Sequence, residues 1–478
     1  MADATISRRV FGQIAAGAAL ASCAPQAGPN MAVPASRQFP PDFLWGVANA
    51  AFQTEGALTA DGRGPSVWDV FPRDRIHDGS DAAVATDSYR RYPEDIALAA
   101  GLGVKVFRFS ISWPRIFPTG AGALNEAGLD HYKRVVGAML EAGLKPYATL
   151  FHWDLPQALQ EQGGWVSRET SYRFAEYADA IGKRMGDRLK HFIVMNEAAV
   201  HAVLGYVMGE HAPGLANADL MGPVMHHENL AQGLAIQALR AAQSDLLIGS
   251  TLALQPSRAG GEGLLTPLHD FAADSLDQLW NGGFLDPLLL GSYPAVPRTM
   301  IGAALQEGDL AITKQPIDFL GVNYYAPAYM AFDAGAPSFI KPVPPPEGVE
   351  LDAFARHVDP SGLYEMLMRV KDKYGNLPTL VTENGCSDPF SDAPGVLDDQ
   401  FRIDYLRRHI AAVKSAMEAG CNVGGYFHWT LIDNFEWAEG YRSKFGLVAM
   451  ERATGVRTPK ASYAWFKALS ETGLLDEA

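Results

Sequence analysis

The chain has 478 residues, a formal net charge of −15, an isoelectric point near 5.3 and a hydrophobic fraction of 48%. Such an excess of acid argues against a nucleic-acid partner, because neutralising phosphates needs a basic face. No Ser/Gly linker or charge block divides the chain beyond its first residues, so one large α/β barrel is expected rather than two or three average domains.

The first residues stand apart. Ser7-Arg8-Arg9-Val10-Phe11 precedes a weakly apolar stretch from Gly12 to Ala21, which has the shape of a twin-arginine export signal and is too short to span a membrane. The stretch ends in Leu20-Ala21-Ser22-Cys23, which resembles the lipobox of bacterial lipoproteins, where the Cys carries the lipid. Residues 1–23 are expected to be this signal, residues 24–36, rich in Ala and Pro, a tether, and residues 37–475 the barrel. The protein would then be exported, periplasmic or anchored in the outer membrane, touching a membrane only through the lipid on Cys23. Translation from Met31 gives the alternative, a cytoplasmic protein. Cys386 follows one expected strand and Cys421 precedes the next, so in a parallel barrel they lie at opposite ends and are expected to be free thiols.

From Phe43 to Phe466 short apolar runs alternate with longer amphipathic ones. The strand candidates are Phe43–Val47, Val104–Phe109, Pro146–Phe151, Phe192–Met195, Ile248–Leu254, Phe319–Val322, Leu380–Thr382 and Gly425–Trp429. Helical patterns lie between them, among them Gly128–Ala142, Glu169–Met185, Glu228–Ala242 and Phe401–Ala419. Eight strands with helical crossovers predict a (β/α)8 TIM barrel of one domain, whose site lies where the strands end. The segment Phe332 to Asp359, with Pro342 and Pro344 to Pro346, predicts a long loop after the sixth strand that overhangs the mouth of that site.

The residues at the strand ends are chemically uneven. Arg108 lies in the second strand, His152, Trp153 and Asp154 follow the third, and Asn196 and Glu197 close the fourth. Asn323, Tyr324 and Tyr325 end the sixth, Glu383 and Asn384 the seventh, and Trp429 the eighth. Amides and acids bond hydroxyls, and aromatic faces stack on the apolar side of a sugar ring. A single buried Glu usually means a satisfied ion pair. Glu197 and Glu383 at one rim suggest instead a nucleophile and a proton donor about 5–5.5 Å apart, as retaining cleavage of a glycosidic bond requires. No His/Cys/Asp cluster has ligand spacing, so neither metal nor organic cofactor is expected, and the pair His226-His227 predicts a helix start or a structural role.

Longer motifs carry a resemblance. Phe43-Leu44-Trp45-Gly46-Val47-Ala48-Asn49-Ala50-Ala51-Phe52-Gln53-Thr54-Glu55-Gly56-Ala57, Phe107-Arg108-Phe109-Ser110-Ile111-Ser112-Trp113-Pro114-Arg115, Phe151-His152-Trp153-Asp154-Leu155-Pro156, Thr382-Glu383-Asn384-Gly385 and Asp433-Asn434-Phe435-Glu436-Trp437 stand in order. With them the chain resembles glycoside hydrolase family 1, the β-glucosidase and β-galactosidase family, from Phe39 to Lys467. The resemblance implies Glu383 as nucleophile and Glu197 as acid and base, supported by Arg108, Asn196, Asn323 and Tyr325. It implies Gln53, His152, Trp153, Trp429, Glu436, Trp437 and Phe445 as substrate-binding residues, with Asn196 on the sugar 2-hydroxyl. The family usually has Pro after the Asn-Glu pair, where this chain has Ala198. The implied activity is that of a retaining β-glucosidase acting on a β-glucoside or β-linked oligosaccharide, with side activity on β-galactosides or β-fucosides. A transglycosylase on the same scaffold and a non-catalytic sugar-binding protein are the alternatives.

Overall fold

The computed structural model describes residues 31, 33–261, 264–336, 339–388 and 397–477. Arg8, Arg9 and Cys23, which carry the export and lipidation motifs, lie outside the described residues. Eight strands pair in chain order and close into an all-parallel barrel: β1 (Leu44–Ala48), β2 (Val106–Ser110), β3 (Lys145–Phe151), β4 (His191–Asn196), β5 (Leu247–Ala253), β6 (Phe319–Asn323), β7 (Thr379–Asn384) and β8 (Val423–Trp429). The last pairs with the first, Leu44 opposite Gly425 through Ala48 opposite Trp429. Each strand falls on an expected apolar run, with ends displaced by at most two residues.

A helix follows each strand: α1 (Ser88–Gly101), α2 (Glu126–Glu141), α3 (Glu169–Met185), α4 (Met221–Ala242), α5 (Thr266–Asp277), α6 (Pro360–Tyr374), α7 (Gln400–Glu418) and α8 (Ala461–Thr472). The period of 3.6 located α3 at both ends, whereas α4 begins seven residues before the expected Glu228. Its early turns hold polar residues that the apolar pattern does not mark. His226 bonds Asp309 Oδ2 (2.9 Å) and Tyr293 (3.0 Å), and His227 Nδ1 donates to the Trp165 carbonyl (3.0 Å). This pair therefore sits inside the helix and has a structural role.

The barrel interior is layered. Leu44, Val106, Tyr147, Ile193, Phe319, Leu380 and Phe427, one from each of seven strands, make an apolar plug toward the strand starts. Because side chains alternate with period two, Arg108, Thr149, Gly321, Thr382 and Trp429 stand one layer higher on the same inward face. Gly321 is required there: a Cβ on it would lie 2.1 Å from Thr251 Oγ1 and 2.8 Å from Thr382 Oγ1, which bond one another at 3.1 Å.

The segment Phe332–Asp359 is only partly irregular. Ile340–Pro342 pairs antiparallel with Ala328–Phe332, which also pairs with Ser257–Ala259, and Ile340–Pro342 takes the edge position at which Pro is tolerated in a sheet. Further on, Phe354 and Arg356 reach the cavity described next. Cys386 and Cys421 are both buried free thiols.

Candidate active site

Strict alternation along β7 would send Glu383 outward with Val381. The register slips between Val381 and Glu383 against β6, and between Val381 and Asn384 against β8, so Thr382 and Glu383 both face the interior. An irregularity also lies between Ile193 and Asn196 where β4 pairs with β5. Such local breaks in pairing re-aim side chains at barrel rims. Glu197 lies one residue beyond β4 rather than closing it, in the left-handed region at φ 50°, ψ 52°. Trp153 (φ 74°) and Trp437 (φ 49°) share this region, each at a strain of about 1–3 kcal/mol that the surrounding structure must sustain.

The two carboxylates have unlike surroundings. Glu383 accepts from Arg108 Nη1 at Oε1 (2.5 Å) and from the Tyr325 hydroxyl at Oε2 (2.8 Å). Arg108 is itself immobilised, with Nε on Thr149 Oγ1 (3.2 Å), Nη1 also on the Thr382 carbonyl (3.1 Å) and Nη2 on Asn196 Oδ1 (2.6 Å). Glu197 accepts from Asn323 Nδ2 (2.9 Å), whose own Oδ1 accepts from Thr382 (2.8 Å). Burial pushes the Glu197 carboxyl up to about 8, reinforced by the charge of Glu383. Burial also raises Glu383, opposed by the Arg108 guanidinium and the Tyr325 hydroxyl. A cation and a hydroxyl donor hold the charge on one carboxylate and a single amide faces the other, so the proton of the pair rests on Glu197.

Both carboxylates line a cavity of about 450 Å³, of the size that takes a small organic ligand. Of the expected substrate-binding residues, His152, Trp153, Trp429, Glu436, Trp437 and Phe445 line it. Asn323 and Tyr325 line it too, and Arg108, Asn196 and Gln53 are buried and bonded to lining residues: Arg108 to Glu383, Asn196 to Asn323 and His152, Gln53 to Glu436. Within the protein Asn196 Oδ1 accepts from Arg108 and Asn323, and its Nδ2 donates one of its two hydrogens to His152 Nε2 (3.1 Å). The imidazole is thereby left with the proton on Nδ1, which has no partner, and burial keeps it neutral, well below its ordinary value. Gln53 Nε2 donates to the Phe435 carbonyl (3.0 Å) and to Glu436 Oε2 (3.2 Å), leaving its Oε1 unpartnered. Burial pushes the Glu436 carboxyl up to about 8 against the pull of the Arg356 guanidinium.

Aromatic rings supply the apolar surface. Trp429 stacks on His152 at 5.7 Å, and Trp437 packs between Trp153 (4.8 Å) and Trp68 (4.7 Å). The Trp153 indole N–H is committed to the Asn196 carbonyl (3.0 Å), so this residue steadies the end of β4 as well as lining the cavity. Residues that the sequence pattern did not mark also contribute, His211, Trp280, Phe354 and Arg356 among them. His211, Phe354 and Arg356 come from loops beyond strand ends, where no hydrophobic period identifies an inward face, and Trp280 comes from the widened helical segment Gln278–Gly282 that continues α5. The Arg356 guanidinium lies over Phe354 (4.7 Å), Tyr325 (5.0 Å) and Phe445 (5.7 Å), with Nε on Asp352 (2.9 Å).

The chain matches the family model for glycosyl hydrolase family 1 over residues 35–473. It is 37% identical over 452 residues to β-glucosidase A of Thermotoga maritima, covering 92% of this chain and 99% of that protein. It is 40% identical to the bifunctional β-D-glucosidase/β-D-fucosidase of Bifidobacterium breve, covering 90% and 97%. Among solved structures, the Thermotoga maritima β-glucosidase in complex with azafagomine superposes with a TM-score of 0.86 at 37% identity, covering 92% of this chain and all of that one.

Proposed function

The chain belongs to glycosyl hydrolase family 1, and from that premise we propose that it is a retaining β-glucosidase that removes terminal non-reducing β-D-glucosyl residues. The observation that carries the reading is the unequal pair: Glu383 ionised by Arg108 and Tyr325, Glu197 protonated by burial beside it. In the first step a Glu383 oxygen forms a bond to the anomeric carbon. The bond to the aglycone oxygen breaks with its electron pair, and that oxygen takes the proton of Glu197. In the second step the Glu197 carboxylate removes a proton from water, whose oxygen bonds the anomeric carbon while Glu383 leaves as carboxylate. One water is consumed, and both groups return to their starting protonation.

Two displacements at one carbon restore its configuration. Purified protein on an aryl β-glucoside should therefore release aglycone and glucose in equal amounts, with β-glucose as the first sugar seen by NMR before mutarotation. α-Glucose first would overturn the mechanism, and aglycone in excess of glucose would favour the transglycosylase. Side activity on β-fucosides has the support of the Bifidobacterium breve relative's name and is read in the same panel of aryl glycosides.

Glu436 lines the cavity and accepts from Gln53, which supports the reading that it holds the hydroxyls farthest from the scissile bond. Such remote contacts stabilise the transition state. Glu436→Ser should lower kcat/KM on glucosides by about 1–3 kcal/mol, roughly 10–100-fold. An unchanged kcat/KM would remove Glu436 from the sugar site.

We further propose that the enzyme is exported by the twin-arginine route and anchored through Cys23, on the strength of the Arg8-Arg9 and Leu20 to Cys23 motifs. In fractionated cells the full-length chain should be in membranes, Cys23→Ala should lose its lipid, and a double Lys variant at Arg8 and Arg9 should remain cytosolic. Identical cytosolic behaviour of all three would instead support a start at Met31.

A further inference from the structure

Behind the segment that carries Glu197 lies a pair of titratable side chains that the mechanism above does not use. His201 and Glu228 are 2% and 0% exposed, and His201 Nδ1 lies 2.5 Å from Glu228 Oε1. Their remaining polar atoms, His201 Nε2 and Glu228 Oε2, have no partner. The imidazole is wedged edge-on against Phe151 (5.2 Å) and Tyr206 (5.5 Å). Burial holds His201 down at about 3 and Glu228 well above the carboxylate range, so the two meet as neutral groups joined by one hydrogen bond between Nδ1 and Oε1.

In an apolar pocket such a pair adds little to stability. Replacing a buried polar pair by apolar side chains of similar size is often neutral or favourable, and here two polar atoms are left unsatisfied as well. What the pair does have is a position. Glu197 is held in its left-handed conformation by two backbone bonds, its own N–H to the Thr251 carbonyl (2.9 Å) and the His201 N–H to its carbonyl (3.1 Å). The turn between them consists of Ala198, Ala199 and Val200, and it runs on into a widened helical segment, His201–Val207. Ala198 and Ala199 offer only methyl groups to fix it. Glu228 projects from α4, a helix buried along most of its length. The hydrogen bond thus ties the first turn after Glu197 to the rigid outer layer of the barrel.

We propose that the His201–Glu228 hydrogen bond is a positioning device for the proton donor. It fixes the backbone that aims the Glu197 carboxyl at the leaving-group oxygen, taking over in this chain the stiffening that Ala198 does not provide. The proposal rests on the reading of Glu197 as the acid. A donor displaced by about 1 Å costs up to roughly 10²-fold, and the loss falls on substrates whose departure needs the proton.

The test uses the purified enzyme and the ratio of kcat/KM on octyl β-glucoside to that on 2,4-dinitrophenyl β-glucoside, with melting temperatures measured alongside. The double variant His201→Leu/Glu228→Leu should melt no lower than the wild type yet lose about tenfold or more of that ratio. Glu228→Gln, whose amide can still bond Nδ1, should keep it. If the double variant does not fold, Glu228→Met alone reads the same ratio. A ratio unchanged in a well-folded variant lacking the bond, or an equal loss on both substrates, overturns the proposal. Loss of the ratio in a well-folded Glu228→Gln, which keeps a hydrogen bond to Nδ1 by either its oxygen or its amide nitrogen, overturns it as well. Glu197→Gln serves as reference: if it too fails to discriminate between the substrates, the fault lies in the assignment of the acid and not in the pair behind it.

Discussion

Glu383→Ala is expected to reduce turnover of aryl β-glucosides by at least ~10⁴-fold, the order of loss seen when a covalent nucleophile is removed. Azide or formate should then restore part of the rate and give an α-configured product. The truncation opens a space bounded by the Arg108 guanidinium and the Tyr325 hydroxyl, the two groups that hold the carboxylate. A small anion entering there would be stabilised by the same donors and would attack the anomeric carbon from the face that Glu383 occupied. Product configuration by NMR is the deciding measurement, since a β-configured rescue product would mean that Glu383 is not the nucleophile. Because Arg108 is also fixed by Thr149, the Thr382 carbonyl and Asn196, it should stay in place when its partner is shortened.

Glu197→Gln should leave a different signature. General acid assistance contributes about 10²–10⁴-fold, and it matters in proportion to the basicity of the leaving group. The variant's kcat/KM should therefore fall by that order on alkyl glucosides and cellobiose and change little on 2,4-dinitrophenyl glucoside. The pH dependence gives a second reading. Glu197 acts while protonated, and burial places its carboxyl at about 8. On alkyl glucosides wild-type kcat/KM should thus be sustained below that pH and decline above it as the proton is lost. Gln cannot titrate, so the variant should lose the part of that decline that belongs to Glu197, and a decline that remains on the activated substrate belongs to other groups such as Glu436, which burial also pushes up to about 8. Equal losses on good and poor leaving groups would exclude Glu197 as the acid.

Much of this architecture can be read in the chain itself. Apolar runs of three to seven residues alternating with helical periods are local signals, and they located all eight barrel strands and the full extent of α3. The rule that chemistry gathers at the ends of parallel strands then picked out Glu197, Asn323, Glu383 and Trp429, all of which line one cavity. The motifs of the family supplied Gln53, Glu436 and Trp437, which no periodicity marks.

Other features depend on contacts between segments far apart in the chain. Alternation along β7 turns Leu380 and Thr382 inward and would turn Glu383 out; the slip of register against both neighbouring strands brings it back, and a slip in pairing has no signature in either strand alone. The left-handed backbone of Glu197 is likewise sustained by Thr251 on β5 and by His201 beyond the turn. Arg356, Phe354 and His211 enter the cavity from loops, whose side-chain directions follow no period, and Trp280 from a widened turn of helix that departs from the 3.6 period. The support of Asn196 is of the same kind, since its partners Arg108, Asn323 and His152 all come from other strands or strand ends. The distinction has one physical origin. Hydrophobic periodicity reports which way a regular backbone faces, while the protonation, aim and support of a buried polar group are set by whichever groups the closed barrel brings within hydrogen-bonding distance.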